Sequence, residues 1–354
     1  MMRVVKVDSN NIDQAVVNEA TQILKRGGII AIPTETVYGL ATSCAHKDAV
    51  RRLSELKNRS ADKPFSMAVG DAQKGKDILG IMPPFGYRLL EEFWPGPLTV
   101  VFYDTSDKVV GVRVPEHPVA RRILQAFGAG VCLPSANLHG AAEAVTAGEV
   151  QAIFDGNIDM IVDSGPCALG KSSTVIDLTC YPFKILREGA VAEERIIQTF
   201  TRKRILFVCT GNTCRSPMAQ FLTQIYMNKL SPYASQRYEV ISRGIAAYPG
   251  SGASSSVLDT VRANEHVEIK GFVSQRLTRD ALLSSELIFT MEDAQYEHIL
   301  KMEPTVDGRL FHLKKFLPPE LEHDINDPIG KDSEAYKQLY DTMRQAITEL
   351  VKWL

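Results

Sequence analysis

The segment ILFVCTGNTCRSPMAQ places a cysteine and an arginine at a spacing that suits phosphoryl chemistry. Cys209 ends a predicted strand, Arg215 lies six positions later, and Ser216 opens a predicted helix. Backbone N–H groups of such a turn, with the positive end of the helix, form a cradle for a phosphoryl group. We expect this field to lower the pKa of Cys209, so that its thiolate attacks phosphorus while Arg215 holds the phosphoryl oxygens.

The context of this C-x5-R segment narrows its interpretation, because the spacing alone recurs by chance. Ser216 is placed to donate to the thiolate, and an Asp-Pro pair follows later in NDPIG. Together these features resemble the low-molecular-weight protein phosphatase family over residues 203–354. The resemblance implies that Asp327 is the general acid and base. It also implies that Ser242, in ISRG, supports the phosphate loop.

Three further loop positions bear on specificity and redox behaviour: Asn212, Thr213 and Cys214. Thr213 resembles the protein-arginine phosphatase branch, whereas tyrosine-specific members usually carry an aliphatic residue there. A hydroxyl can hydrogen-bond the guanidinium side of phosphoarginine or its attacking water, which a methyl group cannot do. Because this argument depends on one residue, the choice between phosphoarginine and phosphotyrosine stays open. Cys214 is either a resolving thiol for Cys209 or a small buried residue. Phe272 stands where many relatives have a loop-supporting histidine, which predicts a less rigid loop.

The first half of the chain carries cations and hydroxyl residues at the ends of predicted strands. The motifs are PTETVYGL (33–40), KNRSADKP (57–64), WPGPLT (94–99), VRVP (112–115), PSAN (134–137), SSTVID (172–177) and LREG (186–189). Cations there suit the charges of a triphosphate, and hydroxyl and amide groups suit its orientation by hydrogen bonds. These side chains are Lys57, Arg59, Lys63, Arg113, Arg187, Thr34, Ser135, Asn137 and Ser173.

In this order, the motifs resemble the threonylcarbamoyl-AMP synthase family, of the Sua5, YrdC and TsaC type. The resemblance implies condensation of L-threonine, bicarbonate and ATP, with magnesium, to threonylcarbamoyl-AMP and pyrophosphate for the t6A modification of transfer RNA. It places Thr34 and Arg113 at threonine and Tyr38 at the edge of the pocket. Around ATP it places Lys57, Arg59, Lys63, Ser135, Asn137, Ser173 and Arg187. The sequence lacks a histidine that some relatives place shortly after the KP pair, and Val109 replaces a hydroxyl residue found in some of them. These two differences leave the affinity for threonine open.

Gly165–Ser173, GPCALGKSS, fits the pattern of a P-loop without its context. A P-loop lies between a strand and a helix, but β-branched SSTVIDL after Lys171 predicts a strand. We therefore expect no P-loop ATPase, although Lys171 can still lie near a nucleotide. His117 and His139 adjoin motifs, and we expect them to be loop or packing residues.

Two alternatives belong to other functional classes. The first half can instead be a non-catalytic module that binds double-stranded RNA or nucleotide on a cationic surface. The phosphatase half can be regulatory, binding phosphorylated protein without turnover. The intact sets of pocket and loop residues favour catalysis in both halves, with a phosphoprotein substrate and, as partners, transfer RNA and tRNA-modification proteins.

Alternating strands and helices must position these residues, and they predict an α/β protein of two domains. We expect a YrdC-like open twisted α/β domain over 1–198 and a parallel-sheet phosphatase domain over 203–354. The helical segment 190–204 is the expected boundary. Parallel sheets place ligand sites at the carboxyl ends of their strands, which is where Cys209 lies.

Composition, charge and cysteine content restrict the class of protein to which the chain can belong. Hydrophobic residues make up 45% of the 354 residues and charged residues 23%, which is typical of a folded globular protein. A net charge of −2 gives no global attraction to nucleic acid or membrane. Six irregularly spaced cysteines predict neither a disulfide framework nor a zinc site, so we expect no protein-bound metal. Without a recognisable signal peptide or membrane span, we expect a cytoplasmic protein with no membrane partner.

Overall fold

A computed structural model describes residues 2–60, 64–319 and 324–354. The chain divides into two units. The first comprises Met1–Met82 with Arg88–Ile197, and the second comprises Pro83–Tyr87 with Gln198–Leu354. The division falls inside the helix Glu193–Thr201, beside the boundary that the sequence predicts.

The first unit is built on a sheet of ten strands, counted over the described ranges. The strands are β1 (Arg3–Lys6), β2 (Ile30–Ile32), β3 (Gly39–Ser43), β4 (Met67–Ala68), β5 (Leu98–Tyr103), β6 (Val109–Arg113), β7 (Val131–Cys132), β8 (Met160–Asp163), β9 (Thr174–Asp177) and β10 (Lys184–Arg187). Their order is β1-β8-β2-β3-β7-β4-β6-β5-β9-β10. Parallel pairs such as β5 with β9 and antiparallel pairs such as β3 with β7 both occur, so the sheet is mixed.

Helices cover both faces of this sheet. Those in chain order up to residue 201 are α1 (Gln14–Lys25), α2 (Lys47–Leu56), α3 (Ala72–Ile78), α4 (Pro84–Phe93), α5 (Pro118–Phe127), α6 (Ala147–Phe154) and α7 (Glu193–Thr201). Side chains of β2 alternate between two apolar clusters: Ile30 and Ile32 pack with α1 and α5, and Ala31 packs with α2 and α6. A strand buried on both faces reads as an unbroken apolar run, as GGIIAI does.

The second unit has four parallel strands in the order β12-β11-β13-β14. Its strands are β11 (Lys203–Cys209), β12 (Tyr238–Gly244), β13 (Leu287–Thr290) and β14 (Leu310–His312). Its helices are α8 (Arg215–Leu230), α9 (Pro232–Arg237), α10 (Ser255–Glu265), α11 (Arg279–Leu283), α12 (Asp293–Met302) and α13 (Ser333–Trp353). The predicted α/β class and parallel sheet are confirmed, whereas β14, with three residues, was too short for a sequence pattern to reveal.

Strand β11 positions the reactive cysteine. Ile205 and Phe207 point into the cluster formed with α8 and α13, while Leu206 and Val208 point to the opposite cluster. Burial on both faces fixes the register of the strand. Its carboxyl end therefore presents Cys209 directly before the turn into α8.

Within the described ranges, no helix combines the length and the apolar composition that a bilayer span requires.

Candidate active sites

The turn between β11 and α8 wraps around the sulfur of Cys209. The backbone N–H of Asn212 donates to Cys209 Sγ at 3.2 Å, and Ser216 Oγ lies 3.0 Å from the same sulfur. Asn212 has φ 52°, in the left-handed region that asparagine tolerates better than most residues. The loop therefore turns its N–H groups inward at a position where most side chains would be strained.

The side chain of Asn212 ties this loop to the neighbouring strand. Its Nδ2 donates to Ser216 Oγ at 3.0 Å and to Ser242 Oγ at 2.9 Å, and its Oδ1 accepts from the N–H of Gln275 at 2.8 Å. Ser242 in turn donates to Gln220 Oε1 at 2.7 Å. Because Ser216 Oγ accepts from Asn212, its one hydroxyl proton has two acceptors within reach, Cys209 Sγ at 3.0 Å and the carbonyl of Arg243 at 3.4 Å. The structure thus brings Asn212, Ser216 and Ser242 together around the cysteine.

Phe272 does not leave a gap in this network. Its ring packs edge-on against Phe221, with ring centroids 5.3 Å apart. Both donors of the Asn212 amide and its carbonyl oxygen have partners without a histidine. The hydrogen bonds offer no support for the looser loop that the phenylalanine predicts.

The pKa of Cys209 differs from the sequence expectation. Only 2% of the residue is exposed, and burial raises the pKa of its thiol above the ordinary value. Hydrogen bonds from Ser216 and Asn212 and the charge of Arg215 lower it, but by less than burial raises it. The expected lowering was therefore wrong, because sequence spacing shows the donors but not the loss of water around the sulfur.

Arg215 is held by two carboxylates at the mouth of the loop. It is 2% exposed, its Nη1 pairs with Glu292, and its Nη2 lies 2.6 Å from Asp327 Oδ2. Its Nη1 also donates to the carbonyl of Ile325 at 3.1 Å. The structure thus places Asp327, to which the family resemblance gives the role of general acid and base, beside Arg215. Glu292 was missed, although it follows the end of β13 and parallel strands end at one edge of a sheet.

Thr213 and Cys214 differ in burial, and Thr213 Oγ1 lies 3.7 Å from Cys214 Sγ. Thr213 is half-buried, and its carbonyl accepts the N–H of Ser254 at 2.9 Å. Cys214 is 4% exposed and lies in the apolar core, with its sulfur 3.6 Å from Ser254 Oγ and 3.7 Å from Tyr336 Oη. These contacts suit a packing residue.

The first unit contains a cavity of about 820 Å³. Its walls come from β4, β5, β6 and β7, from the ends of β9 and β10, and from the segments before β3, after α2, after β7 and before β9. They include these side chains from the sequence motifs: Thr34, Tyr38, Lys57, Arg59, Arg113, Ser135, Asn137, Ser173 and Arg187. Lys63 lies outside the described residues. Residues that are 153 positions apart in the sequence, Thr34 and Arg187, therefore share one cavity.

The described wall of this cavity is strongly cationic. It has four cations, Lys57, Arg59, Arg113 and Arg187, and one carboxylate, Glu143. In the described part of the chain, Nε of Arg59 and Nε of Arg113 are buried without a hydrogen-bond partner. Buried donors normally find an acceptor, so the cavity suits a ligand that carries several negative oxygens.

Arg113 is oriented by residues of the PTETVYGL motif. Its Nη2 donates to Glu35 Oε1 at 2.7 Å and to Thr36 Oγ1 at 2.8 Å, and Glu35 Oε2 accepts the N–H of Glu116 at 3.0 Å. The charge of Arg113 is thus balanced on one edge while its Nε still lacks a partner among the residues described. Glu35 was missed as a site residue, although a buried arginine needs a carboxylate or another acceptor nearby.

Thr34 and Tyr38 shape the cavity rather than offering free polar groups. The hydroxyl of Thr34 donates to the carbonyl of Val37 at 2.6 Å and accepts that residue's N–H at 3.2 Å, which closes a turn. Tyr38 is fully buried and donates to the carbonyl of Gly165 at 2.9 Å. Burial raises its pKa above the ordinary value.

Lys57 braces the PSAN loop. Its Nζ contacts the carbonyls of Ser135 at 2.5 Å and Asn137 at 2.6 Å, and Asn137 Oδ1 at 3.0 Å. Burial, and secondarily the charge of Arg59, lower the pKa of Lys57 to about 8. In the charged form of Lys57, all three ammonium protons have acceptors in the PSAN loop. Lys57 can therefore affect a bound anion only through its charge and through the position of this loop.

Arg187 and Ser173 form a second polar cluster on the opposite wall. Arg187 donates twice to the carbonyl of Ser173, at 2.9 and 3.1 Å, and once to its hydroxyl at 3.1 Å. Ser173 Oγ lies 2.9 Å from Thr99 Oγ1, and Ser172 Oγ contacts Glu143. Burial lowers the pKa of Arg187. The pair of Ser172 and Glu143 was missed because it joins two loops that are remote in sequence.

The P-loop-like segment lacks the required architecture. Strand β9 follows it, as the β-branched run predicts. Lys171 is exposed, lies 3.8 Å from Glu188, and is absent from the cavity wall over the described residues. His117 begins α5 by accepting the N–H of Val119 at 3.3 Å, and His139 lies on the cavity wall. Of the segment Gly165–Ser173, only Ser172 and Ser173 line the cavity.

The side chains of the cavity wall also indicate how magnesium could bind. Over the described ranges, no group of three or more metal-ligating side chains is close enough to hold an ion. Mg²⁺ is commonly carried by substrate phosphates and its own waters with one or two carboxylates. Glu143 on the cavity wall provides one carboxylate, which is compatible with an ion that arrives bound to a triphosphate.

Family models match each half of the chain. Residues 22–189 match the Sua5/YciO/YrdC family model, described as "Telomere recombination", and residues 204–354 match that of "Low molecular weight phosphotyrosine protein phosphatase". The chain is 34% identical over 188 residues to the threonylcarbamoyl-AMP synthase of Bacillus subtilis, covering 50% of this chain and 54% of that protein. It is 31% identical over 188 residues to the "Putative threonylcarbamoyl-AMP synthase" of Mycobacterium tuberculosis, covering 51% of this chain and 86% of that protein.

A solved structure of Pyrococcus abyssi Sua5, a double variant, aligns with 98% of this chain and 97% of its own at 20% identity, with a TM-score of 0.53, which supports the fold alone. The two sites define a two-domain α/β protein with a cationic cavity and a phosphate loop. The chain belongs to the Sua5/YciO/YrdC family and carries a low-molecular-weight phosphatase domain. It spans little more than half the length of the first curated relatives that it matches.

Proposed function

We propose that the first unit condenses L-threonine, bicarbonate and ATP to threonylcarbamoyl-AMP and pyrophosphate. The observation that carries this proposal is the cavity of about 820 Å³ with four cations and two buried, unpartnered arginine Nε atoms among the described residues. That cavity has space for both a nucleoside triphosphate and an amino acid. The names of the curated relatives point to the same reaction.

The proposed chemistry is mainly positioning. The amine of threonine first adds to the carbon of bicarbonate, and water leaves to give the carbamate. A carbamate oxygen then attacks the α-phosphorus of ATP, the bond from that phosphorus to the bridging oxygen breaks, and pyrophosphate leaves. Arg59 and Arg187 stabilise the charge on the phosphates, and the free Nε of Arg113 suits the carboxylate of threonine. Magnesium bound to the phosphates would neutralise further charge, with Glu143 as the carboxylate on the wall. Transfer of the product to tRNA for t6A, with tRNA-modification proteins as partners, belongs to the same proposal.

The test is pyrophosphate release from the full chain with ATP and magnesium, with and without threonine and bicarbonate. Release that needs both small substrates and falls in Arg59→Ala supports the synthase. Lys171→Ala is the matched control, since Lys171 is an exposed cation near the cavity that is absent from its described wall. Salt-sensitive binding of double-stranded RNA without dependent release would instead indicate the non-catalytic binding module.

We further propose that the second unit is a cysteine-dependent protein phosphatase. The observation behind this proposal is that Cys209 receives hydrogen bonds from the loop while Arg215 and Asp327 stand at its mouth. The thiolate of Cys209 attacks phosphorus, the bond to the leaving group breaks, and Asp327 gives that group its proton. Asp327 then removes a proton from the water that cleaves phosphocysteine, which releases phosphate and restores the thiolate.

Phosphatase turnover of Cys209→Ser tests this role. Loss of turnover with retained phosphate binding supports nucleophilic catalysis, and unchanged turnover would exclude it. Phosphate binding without turnover in the unmodified chain would indicate a regulatory domain. These measurements use the full chain and do not depend on the synthase.

Thr213 carries a finer proposal, that phosphoarginine is preferred over phosphotyrosine. Its side chain is half-buried beside the loop that would hold the phosphoryl group, and a hydroxyl there offers a hydrogen bond that an aliphatic side chain lacks. Thr213→Val keeps a similar volume and removes the hydroxyl. We expect its ratio of kcat/KM for phosphoarginine over phosphotyrosine to fall about tenfold or more. An unchanged ratio would remove the basis for this preference.

A further inference from the structure

Two thiols face each other on the wall of the cavity in the first unit. The Sγ atoms of Cys44 and Cys132 lie 3.0 Å apart, and both residues line the cavity. Thr42 pairs with Cys132 across β3 and β7, and the N–H of Cys44 donates to the carbonyl of Gly130 at 3.2 Å. Side chains alternate along a strand, so Cys44 lies on the same side as Thr42 and hence as Cys132.

The contact gives the two thiols different proton affinities. The pKa of Cys44 is raised, first by its hydrogen bond with Cys132 and then by burial. The pKa of Cys132 is lowered by the same hydrogen bond, although burial opposes this change. The two sulfurs are within hydrogen-bond distance of each other, so when one thiol of the pair loses its proton, the other can donate to the resulting thiolate. Cys167, which lacks such a thiol partner, has its pKa raised by burial to about 11.

We propose that Cys44 and Cys132 form an oxidation site that closes to a disulfide when a hydroperoxide enters the cavity. The sulfur atoms need to approach by about 1 Å to form the bond, a movement within reach of side-chain rotation. Cys44 lies just beyond the last residue of β3, so a change there does not break a ladder pair within that strand. No other thiol needs to move.

The chemistry balances with hydrogen peroxide as the oxidant. The thiolate of one cysteine of the pair attacks one peroxide oxygen, the O–O bond breaks, and the other oxygen leaves as hydroxide and takes a proton to become water. The sulfenic acid that forms is then attacked by the sulfur of the other cysteine. The S–O bond breaks, the departing hydroxide takes the proton of that second thiol, and a second water forms. Two thiols lose two electrons in total, and the peroxide gains them.

The position of the pair links oxidation to occupancy of the cavity. Cys132 directly precedes the segment that leads into Ser135 and Asn137, which Lys57 anchors. A nucleotide in the cavity covers this wall and shields both sulfurs from peroxide. This part of the inference rests on the proposed synthase function, whereas formation of the disulfide does not.

Peptide mapping of the full chain tests the site directly. After peroxide treatment and alkylation of the remaining thiols, trypsin releases residues 27–47 with Cys44 and residues 123–171 with Cys132 and Cys167. We expect a cross-linked pair of these peptides, 2 Da lighter than the sum of the reduced peptides and lost on treatment with dithiothreitol. Cys167→Ser keeps the cross-link if Cys132 supplies the sulfur, so neither member of the pair has to be mutated.

The exposed thiol of Cys180 provides an internal reference for the peroxide dose. Absence of the cross-link at doses that already oxidise Cys180 would overturn the proposal, as would loss of the cross-link in Cys167→Ser. ATP with magnesium is expected to slow cross-linking several-fold without slowing oxidation of Cys180. A cross-link that forms equally fast with ATP would support the dithiol site but contradict the proposed nucleotide site.

Discussion

Nη2 of Arg215 lies 2.6 Å from Oδ2 of Asp327, so the predicted phosphate-holding cation and the predicted general acid form an ion pair. Glu292 contacts the other terminal nitrogen of Arg215. A phosphoryl group that uses the planar fork of Arg215 must displace at least one of these carboxylates. The two carboxylates therefore compete with a phosphoryl group for the charge of Arg215.

Glu292→Gln is expected to strengthen the binding of inorganic phosphate. The substitution keeps the shape and removes one negative charge that competes with phosphate for Arg215. We expect the inhibition constant of phosphate to fall about three- to tenfold, which corresponds to roughly 0.6–1.4 kcal/mol. Inhibition of phosphatase turnover by phosphate measures it, and Asp293→Asn, an exposed neighbour paired with Lys314, is the matched control. Weaker phosphate binding would show that Glu292 positions Arg215 rather than competing for it.

The pKa of Cys209 is expected to depend on Ser216. Burial raises this pKa, and the hydrogen bond with Ser216 is the largest effect that lowers it. Ser216→Ala therefore raises the pKa further, because the thiolate loses a donor. The rate of Cys209 alkylation as a function of pH measures the change, and the midpoint should move to higher pH. A midpoint at lower pH in the variant would mean that Ser216 accepts from the thiol instead.

The residues that could carry out chemistry were predictable from the sequence, whereas the residues that hold them in place were not. Spacing and strand ends identified Cys209, Arg215 and the cations of the first unit, because these signals are local. The partners of the arginines, Glu35 and Glu292, come from motifs or strand ends whose spatial relation depends on the fold. The raised pKa of Cys209 was missed because it depends on burial by residues remote in sequence.

Lys57 is expected to make the stability of the first unit depend on alkaline pH. Its pKa is about 8 in the folded protein and near 10.5 when unfolded, so the unfolded chain binds more protons between these values. The contribution of Lys57 to stability therefore becomes more favourable as the pH rises from 8 towards 10.5. Lys57→Met removes this titration, so the stability of the wild type relative to the variant should increase from pH 7 to pH 10.

Tryptophan fluorescence can isolate the first unit for this measurement. The chain has two tryptophans, the buried Trp94 and the exposed Trp353. In a Trp353→Phe background, urea unfolding followed by fluorescence reports on Trp94 alone. An equal difference between wild type and variant at both pH values would contradict a lowered pKa of Lys57.

Arg113 is expected to serve threonine and not ATP. Its Nη2 is held by Glu35 and Thr36, while its buried Nε has no partner among the described residues and suits a carboxylate. Arg113→Lys keeps the charge but loses the planar fork, so the KM for threonine should rise about tenfold or more while the KM for ATP changes less than about twofold. Arg59→Ala should show the opposite pattern, because Arg59 is assigned to the phosphates. Equal effects of both variants on both KM values would show that the cavity binds its two substrates as one unit, with no division of labour between these arginines.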